Sequence, residues 1–399
     1  MAFDIILIVI GLAVGAAMFH PGLRSMPTWR AMVTPLASII GSGFLIVGPI
    51  LEDAFGYLAP LGMAGLCLTA WAFGGAVRVN IARLGEGDDA RPRGERRLDT
   101  LASAVLAFAY MISVAYYLNL LGSFAVRLTP WNSDVIANSV TTAVFALILI
   151  TGWTRGFEAL ERMEYASVAI KLAIIAALLA GLATFAFGKA ADGGLIVNTP
   201  QVSGWAAATL AMGLLVTVQG FETSRYLGAT YSPKVRIRSM RWSQLLSAGI
   251  YMAYILAMSF VFRRDQLAFS ETAIVDMMAI VAPILPILLV VAALAAQFSA
   301  AVADTSGSGG LIDELTGHRL RPALAYALLT AIGIGLTWVL NVFEIVSYAS
   351  RAFAAYYSLQ ALIAALGDFR EQRSLRGAFF TGLAVLGAMI AIFGEPAEG

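Results

Sequence analysis

Long apolar segments recur along the whole chain, and they restrict the fold more than any other feature of the sequence. A transmembrane helix needs about 20 predominantly apolar residues. Twelve segments approach that length, approximately 3–19, 34–51, 59–81, 98–127, 134–153, 165–187, 204–228, 242–262, 273–305, 321–339, 342–366 and 377–394. Only 13% of the 399 residues are charged, whereas soluble domains carry roughly 25%. The sequence therefore predicts an all-α, polytopic membrane protein with twelve transmembrane helices.

The Lys and Arg residues of the connecting loops predict the orientation of these helices. One set of alternate loops carries 19 of the 26 Lys and Arg residues, and the opposite set carries only four. Because cytoplasmic loops are enriched in Lys and Arg, the Arg-rich set is predicted to be cytoplasmic, as in a bacterial inner membrane. Residues 3–19 lack a basic amino-terminal segment and are interpreted as a retained span rather than a cleaved signal.

Composition excludes several other classes of protein. The net charge of +1 gives no reason to expect a nucleic-acid partner, and the single cysteine, Cys67, cannot form an internal disulfide. The two histidines lie at predicted span ends, with no HExxH motif or aspartate-rich pair. We therefore predict no metal, no cofactor and no enzymatic activity. The expected partners are the lipid bilayer and a small-molecule substrate.

Two predicted spans contain polar, glycine-rich interruptions. The first is Gly41-Ser42-Gly43 within TPLASIIGSGFLIVGP, and the second lies in QGFETSR at 219–225. In hydrocarbon an unpaired backbone group costs several kcal/mol, so a helix breaks there only beside protein or a watery cavity. Close packing of two helices is the alternative explanation for small residues. However, the two spans have opposite predicted directions and each opens a block of five spans, which is the pattern of a secondary transporter.

These stretches resemble those of a known family. IIGSGFLIVGPIL is similar to the first core helix of the amino acid–polyamine–organocation superfamily, QGFETSRYLGATYSPKVRIRSM to its sixth, and NVFEIVSYASRAFAAYYSLQALIAAL to its tenth. The resemblance implies the leucine-transporter fold, a 5+5 inverted-repeat core with discontinuous first and sixth core helices. The implied organisation is an extra helix and loop at 1–33, repeats at 34–190 and 191–368, and a last helix and tail at 369–399.

The resemblance also implies an alternating-access permease for amino acids or related small amines. Backbone N–H groups at 41–43 would bind a substrate carboxylate, and carbonyls at 220–222 would accept from an amine. The predicted substrate-binding residues are Ile40, Gly41, Ser42, Gly43, Gln219, Gly220, Phe221, Glu222 and Tyr110. The alternatives are a sodium-coupled carrier of another small solute, a non-transporting receptor of the same fold, and a channel. The sequence leaves the substrate and the oligomeric state open.

Lys171 and Glu222 are the predicted proton-coupling residues. Removal from water favours the neutral form of either group, so each is able to exchange a proton near neutrality. For Glu222 the alternative is a structural pair with Arg225 at i,i+3. For Lys171 it is a side chain that snorkels toward the lipid interface. The resemblance places Lys171 where sodium-independent relatives carry a lysine instead of a sodium ion, and Phe298-Ser299-Ala300 offers one hydroxyl where a sodium site would use two. Proton coupling is therefore favoured over sodium.

Further polar residues within spans are weaker candidates. Ser299, Asp304, Tyr348 and Arg351 are candidates for an ion site or a gate. Asp304 belongs to the stretch DTSGSGG, which is equally consistent with a loosened helix end. Arg351 is alternatively a neutralising partner for Asp304 or Glu222, since buried opposite charges pair.

Overall fold

The computed structural model describes residues 2–395 except 42, 85–91, 155–156, 228–229, 267–269, 271, 318 and 321. Within this part of the chain the regular structure is helical. The α-helices are α1 Ala2–Met18, α2 Pro21–Arg24, α3 Pro27–Ile39, α4 Gly43–Phe55, α5 Ala59–Leu84, α6 Arg93–Arg127, α7 Asp134–Thr154, α8 Phe157–Ala191, α9 Gly204–Gly213, α10 Pro233–Met258, α11 Ala273–Val281, α12 Leu285–Leu315, α13 Pro322–Val339, α14 Val342–Arg370 and α15 Ser374–Phe393.

Length and composition make six helical stretches of the described residues able to cross a membrane. They are Gly43–Leu84, Arg93–Arg127, Asp134–Thr154, Glu164–Ala191, Leu285–Asp313 and Ser374–Phe393. Ala2–Met18 and Ala323–Val339 are shorter apolar helices. Large apolar side chains on the outer faces of the helices are exposed, among them Leu12, Leu61 and Leu68. An apolar outer surface of this kind suits hydrocarbon rather than water, which agrees with an integral membrane protein.

The predicted span at 273–305 differs from the structure. Two helices, α11 and α12, replace a single one, and the second continues to Leu315. Ala282 between them has an extended backbone, with φ −159° and ψ 140°. The next residue is Pro283, and the residue before a proline is pushed out of the helical region by the proline ring. The proline thus ends α11 and delays the long helix to Leu285.

Two helices are interrupted where the glycines predict it. The first interrupted helix consists of α3 and α4, and Ile40 between them has a non-helical φ of −88° and ψ of 56°. The second interrupted helix consists of α9 and the 3₁₀ segments Leu215–Val218 and Phe221–Tyr226. Gln219 is extended, and Gly220 has a φ of +117° that side-chain-bearing residues rarely adopt.

The helices around these interruptions fix their positions. α6 packs against α12 and α14, and α12 also packs against α8 and α3. α10 packs against α3, α5 and the second 3₁₀ segment. The additional helix α1 packs on α8, where Gly15 would bring a Cβ atom to 3.5 Å from Ala173 Cβ. Both interruptions therefore lie inside a bundle, away from lipid.

Candidate functional site

The two interruptions are in direct contact with each other. A Cβ atom on Gly220 would lie 2.5 Å from Ser38 Oγ and 2.6 Å from Ile39 N. A Cβ atom on Gly43 would overlap the backbone of Thr217. Only glycine permits this approach, so both glycines serve to bring one interrupted helix against the other. The structure thereby brings Ile40, Gly41 and Gly43 together with Gln219, Gly220 and Phe221, whereas the predicted Ser42 lies outside the described residues.

Tyr251 of α10 satisfies carbonyl groups that both interruptions release. Its hydroxyl lies 2.9 Å from the carbonyl oxygen of Ile39 and 2.5 Å from that of Thr217. Buried carbonyls need hydrogen-bond donors because no water reaches them. Sequence reasoning missed Tyr251, since a tyrosine within an apolar span gives no sign of which helix its hydroxyl meets.

Glu222 lies at the start of the 3₁₀ segment that follows the second interruption, and its side chain is fully buried. Its Oε2 accepts hydrogen bonds from Gly220 N at 3.0 Å and from the Tyr357 hydroxyl at 2.6 Å. Its Oε1 has no hydrogen-bond partner among the described residues. The ring of Tyr357 stacks on Phe73 and on Phe221, with centroids 5.3 and 5.0 Å apart. One carboxylate oxygen is therefore fixed by protein donors, and the other remains available.

Arg225 does not act as the local partner that the sequence offers for Glu222. It forms an ion pair with Asp99 at the start of α6 and donates a hydrogen bond of 2.6 Å to Gln360 of α14. Both partners come from helices that approach the second interrupted helix in space, so chain proximity at i,i+3 does not select them.

Lys171 of α8 points into the bundle and has no exposed surface. Its ammonium donates to the carbonyl oxygen of Ala37 at 2.8 Å and to the Ser299 hydroxyl at 3.3 Å. The lipid-facing alternative is therefore wrong for this structure. Lys171 instead joins α8 to the first interrupted helix and to α12.

The other predicted polar residues divide into two groups. Tyr110 of α6 is fully buried, and its hydroxyl has no hydrogen-bond partner among the described residues. Asp304 of α12 is also fully buried and contacts α3 and α6. Tyr348 is 47% exposed, and Arg351 donates to the carbonyl oxygens of Ala391 and Ile392 at the end of α15. Arg351 thus caps α15 and neutralises neither Asp304 nor Glu222.

Cavities lie near several of these residues, and one of about 710 Å³ is lined in part by Tyr348 and Arg351. One of about 240 Å³ reaches the interruptions between α5 and α10, and its lining includes Ile39, Val218 and Tyr251. Another of about 800 Å³ opens at the predicted cytoplasmic end, and its lining includes Arg30 and Glu164. The described residues contain no group of three or more His, Cys, Asp or Glu side chains arranged to hold a metal ion.

An arginine cluster joins helix ends on the predicted cytoplasmic side. Asp368, which follows the predicted span at 342–366, accepts hydrogen bonds from Arg83 of α5 and Arg376 of α15, the first at 2.6 Å. Burial raises the pKa of Asp368, but the hydrogen bond and charge of Arg376, together with Arg83, outweigh it and leave the pKa below the ordinary value of 3.8. The carboxylate therefore stays ionised at neutral pH.

Comparison with known proteins identifies the family. Residues 21–394 match a family model described as an APC superfamily transporter. The chain belongs to the APC superfamily. This membership confirms the superfamily that the motifs resemble, and it indicates a membrane transporter rather than an enzyme.

Individual relatives of this APC transporter extend the comparison. An uncharacterized protein of Aquifex aeolicus (strain VF5) is 39% identical over 388 residues, which cover 95% of this chain and 93% of that protein. A solved structure, the substrate-bound outward-open state of a Na⁺-coupled sialic acid symporter, superimposes with a TM-score of 0.57. It covers 99% of this chain and 97% of the symporter at 13% identity, so it shows a shared fold only.

Proposed function

We propose that this APC transporter is a proton-coupled, sodium-independent secondary transporter of amino acids or small amines that works by alternating access. The observation that carries the proposal is the position of the Lys171 ammonium. It is fully buried and binds the Ala37 carbonyl of the first interrupted helix and the Ser299 hydroxyl of α12. A buried ammonium that is held by one carbonyl of a half-helix would bind or lose a proton if that half-helix moved away from it.

The interruptions supply the proposed substrate contacts. The backbone at Gly41 and Gly43 lies at the start of α4, where N–H groups and the positive end of the helix favour a carboxylate. The free Oε1 of Glu222 is an acceptor on the second interrupted helix, whereas the Gly220 carbonyl already accepts hydrogen bonds from Thr223. Donors and acceptors on opposite sides suit a zwitterionic or amine-bearing solute. Tyr110 adds a buried hydroxyl from α6.

Sodium coupling is the competing mechanism, because the structural relative is a Na⁺-coupled symporter. The geometry argues against it at this position. Ser299 already accepts a hydrogen bond from Lys171, and a cation beside the ammonium would be repelled. We therefore assign the coupling role to a proton on Lys171.

A thermal-shift screen tests the substrate class. The purified protein is heated with each proteinogenic amino acid and with simple amines, at acidic and neutral pH, in sodium or in choline buffer. We expect stabilisation by members of one solute class without a requirement for sodium. Stabilisation that depends on sodium at every pH contradicts proton coupling.

Transport of the most strongly stabilising solute by the reconstituted protein then tests the role of Lys171. Proton-driven uptake into proteoliposomes is compared with exchange of the labelled solute between equal pools. We expect Lys171→Ala to lower uptake more than exchange, because exchange needs no net proton release. Lys189→Ala is the matched control, since Lys189 lies near the end of the same helix, where its ammonium lies over the Phe185 ring. Equal loss of both activities in a folded Lys171→Ala protein means that the lysine is structural.

A further inference from the structure

Asp304 is a second buried ionisable group at this centre, and the proposed transport mechanism does not use it. Its Oδ1 accepts a hydrogen bond of 3.3 Å from the Ser38 hydroxyl of α3. Its Oδ2 shares a short hydrogen bond with the Ser113 hydroxyl of α6. The side chain has no exposed surface, and no cation of the described residues lies within salt-bridge distance of it.

The basic residues inside the predicted spans are engaged elsewhere. Lys171 binds Ala37 and Ser299, Arg225 pairs with Asp99, and Arg351 binds the carbonyls that end α15. An ionised carboxylate sealed inside a membrane protein without a counter-charge costs several kcal/mol. Two serine hydroxyls offset only part of that cost, since they are neutral donors and supply no positive charge. The carboxyl group therefore needs a positive partner.

We propose that Asp304 is a second proton-binding site of this transporter, held as a neutral carboxylic acid in the present conformation. A proton fits the geometry better than a metal cation does. In the neutral acid Oδ1 accepts from the Ser38 hydroxyl, while Oδ2 carries the proton and donates it to Ser113 Oγ, which in turn donates to the carbonyl oxygen of Tyr110 at 3.1 Å. Both carboxyl oxygens are thus closed around hydrogen bonds to two other helices. A hard cation would have to separate these groups in order to bind among them.

The ionisable groups on the elements packed against α12 agree with this assignment. From α6 the neighbours are the phenols of Tyr110 and Tyr117, and from the second interrupted helix the neighbour is Glu222. From α8 they are Glu164, which interacts with Asp304, and Lys171, which is bound to Ala37 and Ser299. On the two other helices packed against α12, Asp276 of α11 pairs with Arg127, and Tyr326 of α13 packs on Gly309. The carboxylates among them repel a negative charge on Asp304.

Asp304 is linked to Lys171 through consecutive residues of α3. The Ala37 carbonyl holds the ammonium, and the Ser38 hydroxyl holds the carboxyl group. Ser38 also lies against Gly220 of the second interruption. A movement of α3 away from the bundle would break both contacts together and admit water to both groups. This coupling role depends on the proposed function, whereas the protonation of Asp304 does not.

Infrared spectroscopy tests the protonation without any substrate. The full-length protein in lipid nanodiscs is measured at neutral pH in the carbonyl-stretching region of protonated carboxylic acids. We expect a band that Asp304→Asn abolishes and that Glu222→Gln retains. Asp276→Asn is the matched control, because Asp276 lies on the adjacent α11 with a 55% exposed side chain and forms an ion pair with Arg127. Ser113→Ala should shift the band to higher frequency, since the carboxyl group loses a hydrogen-bond partner.

Each outcome of these experiments supports or contradicts the protonation of Asp304. A spectrum that Asp304→Asn leaves unchanged overturns the proposal, even when transport through Lys171 is intact. Thermal stabilisation by sodium that disappears in Asp304→Asn also overturns it and makes the site a sodium site. If Asp304→Asn does not fold, the Ser113→Ala spectrum decides, and the absence of a shifted band there refutes protonation.

Discussion

Replacement of Gly220 by alanine tests the contact between the two interruptions directly. Gly220 has a φ of +117°, and a backbone in such a region costs about 1–3 kcal/mol when the residue carries a side chain. The new methyl group would also lie 2.5 Å from Ser38 Oγ and 2.6 Å from Ile39 N. Overpacking of this kind costs a further 1–3 kcal/mol, roughly. We therefore expect Gly220→Ala to lower the free energy of unfolding by about 2–6 kcal/mol.

Gly43→Ala separates the two contributions. Its backbone φ is not positive, so only the overlap with the Thr217 backbone remains, and we expect a loss of about 1–3 kcal/mol. Gly249→Ala is the matched control, because Gly249 lies on an exposed face of α10 with open space around its Cβ position. Alanine favours a helix interior over glycine by about 0.5–1 kcal/mol, so this variant should be slightly more stable than the natural protein.

The assay is equilibrium unfolding in mixed detergent, followed by the fluorescence of the seven tryptophans. The order of stability should be Gly249→Ala, natural protein, Gly43→Ala, Gly220→Ala. A Gly220→Ala protein as stable as the Gly249→Ala control would refute the reasoning, since both steric terms would then be absent. The interruptions would not be in contact, and the proposed substrate site between them would lose its basis.

Three further predictions follow from particular contacts. Tyr251→Phe should lower the free energy of unfolding by about 1–3 kcal/mol, because two buried carbonyls lose the hydroxyl that they share. Tyr254→Phe should leave the free energy of unfolding unchanged in the same unfolding assay, since the Tyr254 hydroxyl has no hydrogen-bond partner among the described residues. Glu222→Gln should flatten the pH dependence of uptake measured in proteoliposomes, and a profile like that of the natural protein would count against a proton switch. Because the pKa of Asp368 is lowered in the folded protein, its carboxylate stabilises the fold at pH values above the ordinary pKa of 3.8. This stabilisation is lost as the pH falls toward the pKa of the folded state. The thermal unfolding midpoint should therefore drop on acidification below about pH 4, and the drop should be smaller in Asp368→Asn. An equal drop in the natural protein and in Asp368→Asn would show that the ion pairs of Asp368 with Arg83 and Arg376 do not cause it.

The sequence alone predicted the helical class and the position of most helices. It failed at 273–305, where the apolar run continues through Ala282 and Pro283 although the helix does not. Hydropathy measures solvent preference and is insensitive to a single extended residue. The proline was the available signal, because it restricts the backbone of the residue before it.

The candidate site was predictable where the signal was local. Gly41, Gly43 and Gly220 could be recognised because glycine is a poor helix former inside an apolar span. The burial of Lys171 was expected only through the family resemblance, and its contact with Ser299 came from the structure. Tyr251 and Tyr357 could not be found, since their spans contain several buried tyrosines and the sequence does not distinguish them.

What the sequence by itself determined is the bilayer environment, the positions of most helices and the two points at which a helix breaks. These properties depend on the hydrophobicity and backbone preferences of neighbouring residues, which are local quantities. Only the tertiary structure decided that Glu222 binds Tyr357 rather than Arg225, that Arg351 caps α15, and that Asp304 meets Ser38. Hydrogen bonds and ion pairs act over a few ångströms, so their partners are set by the packing of helices that are distant along the chain.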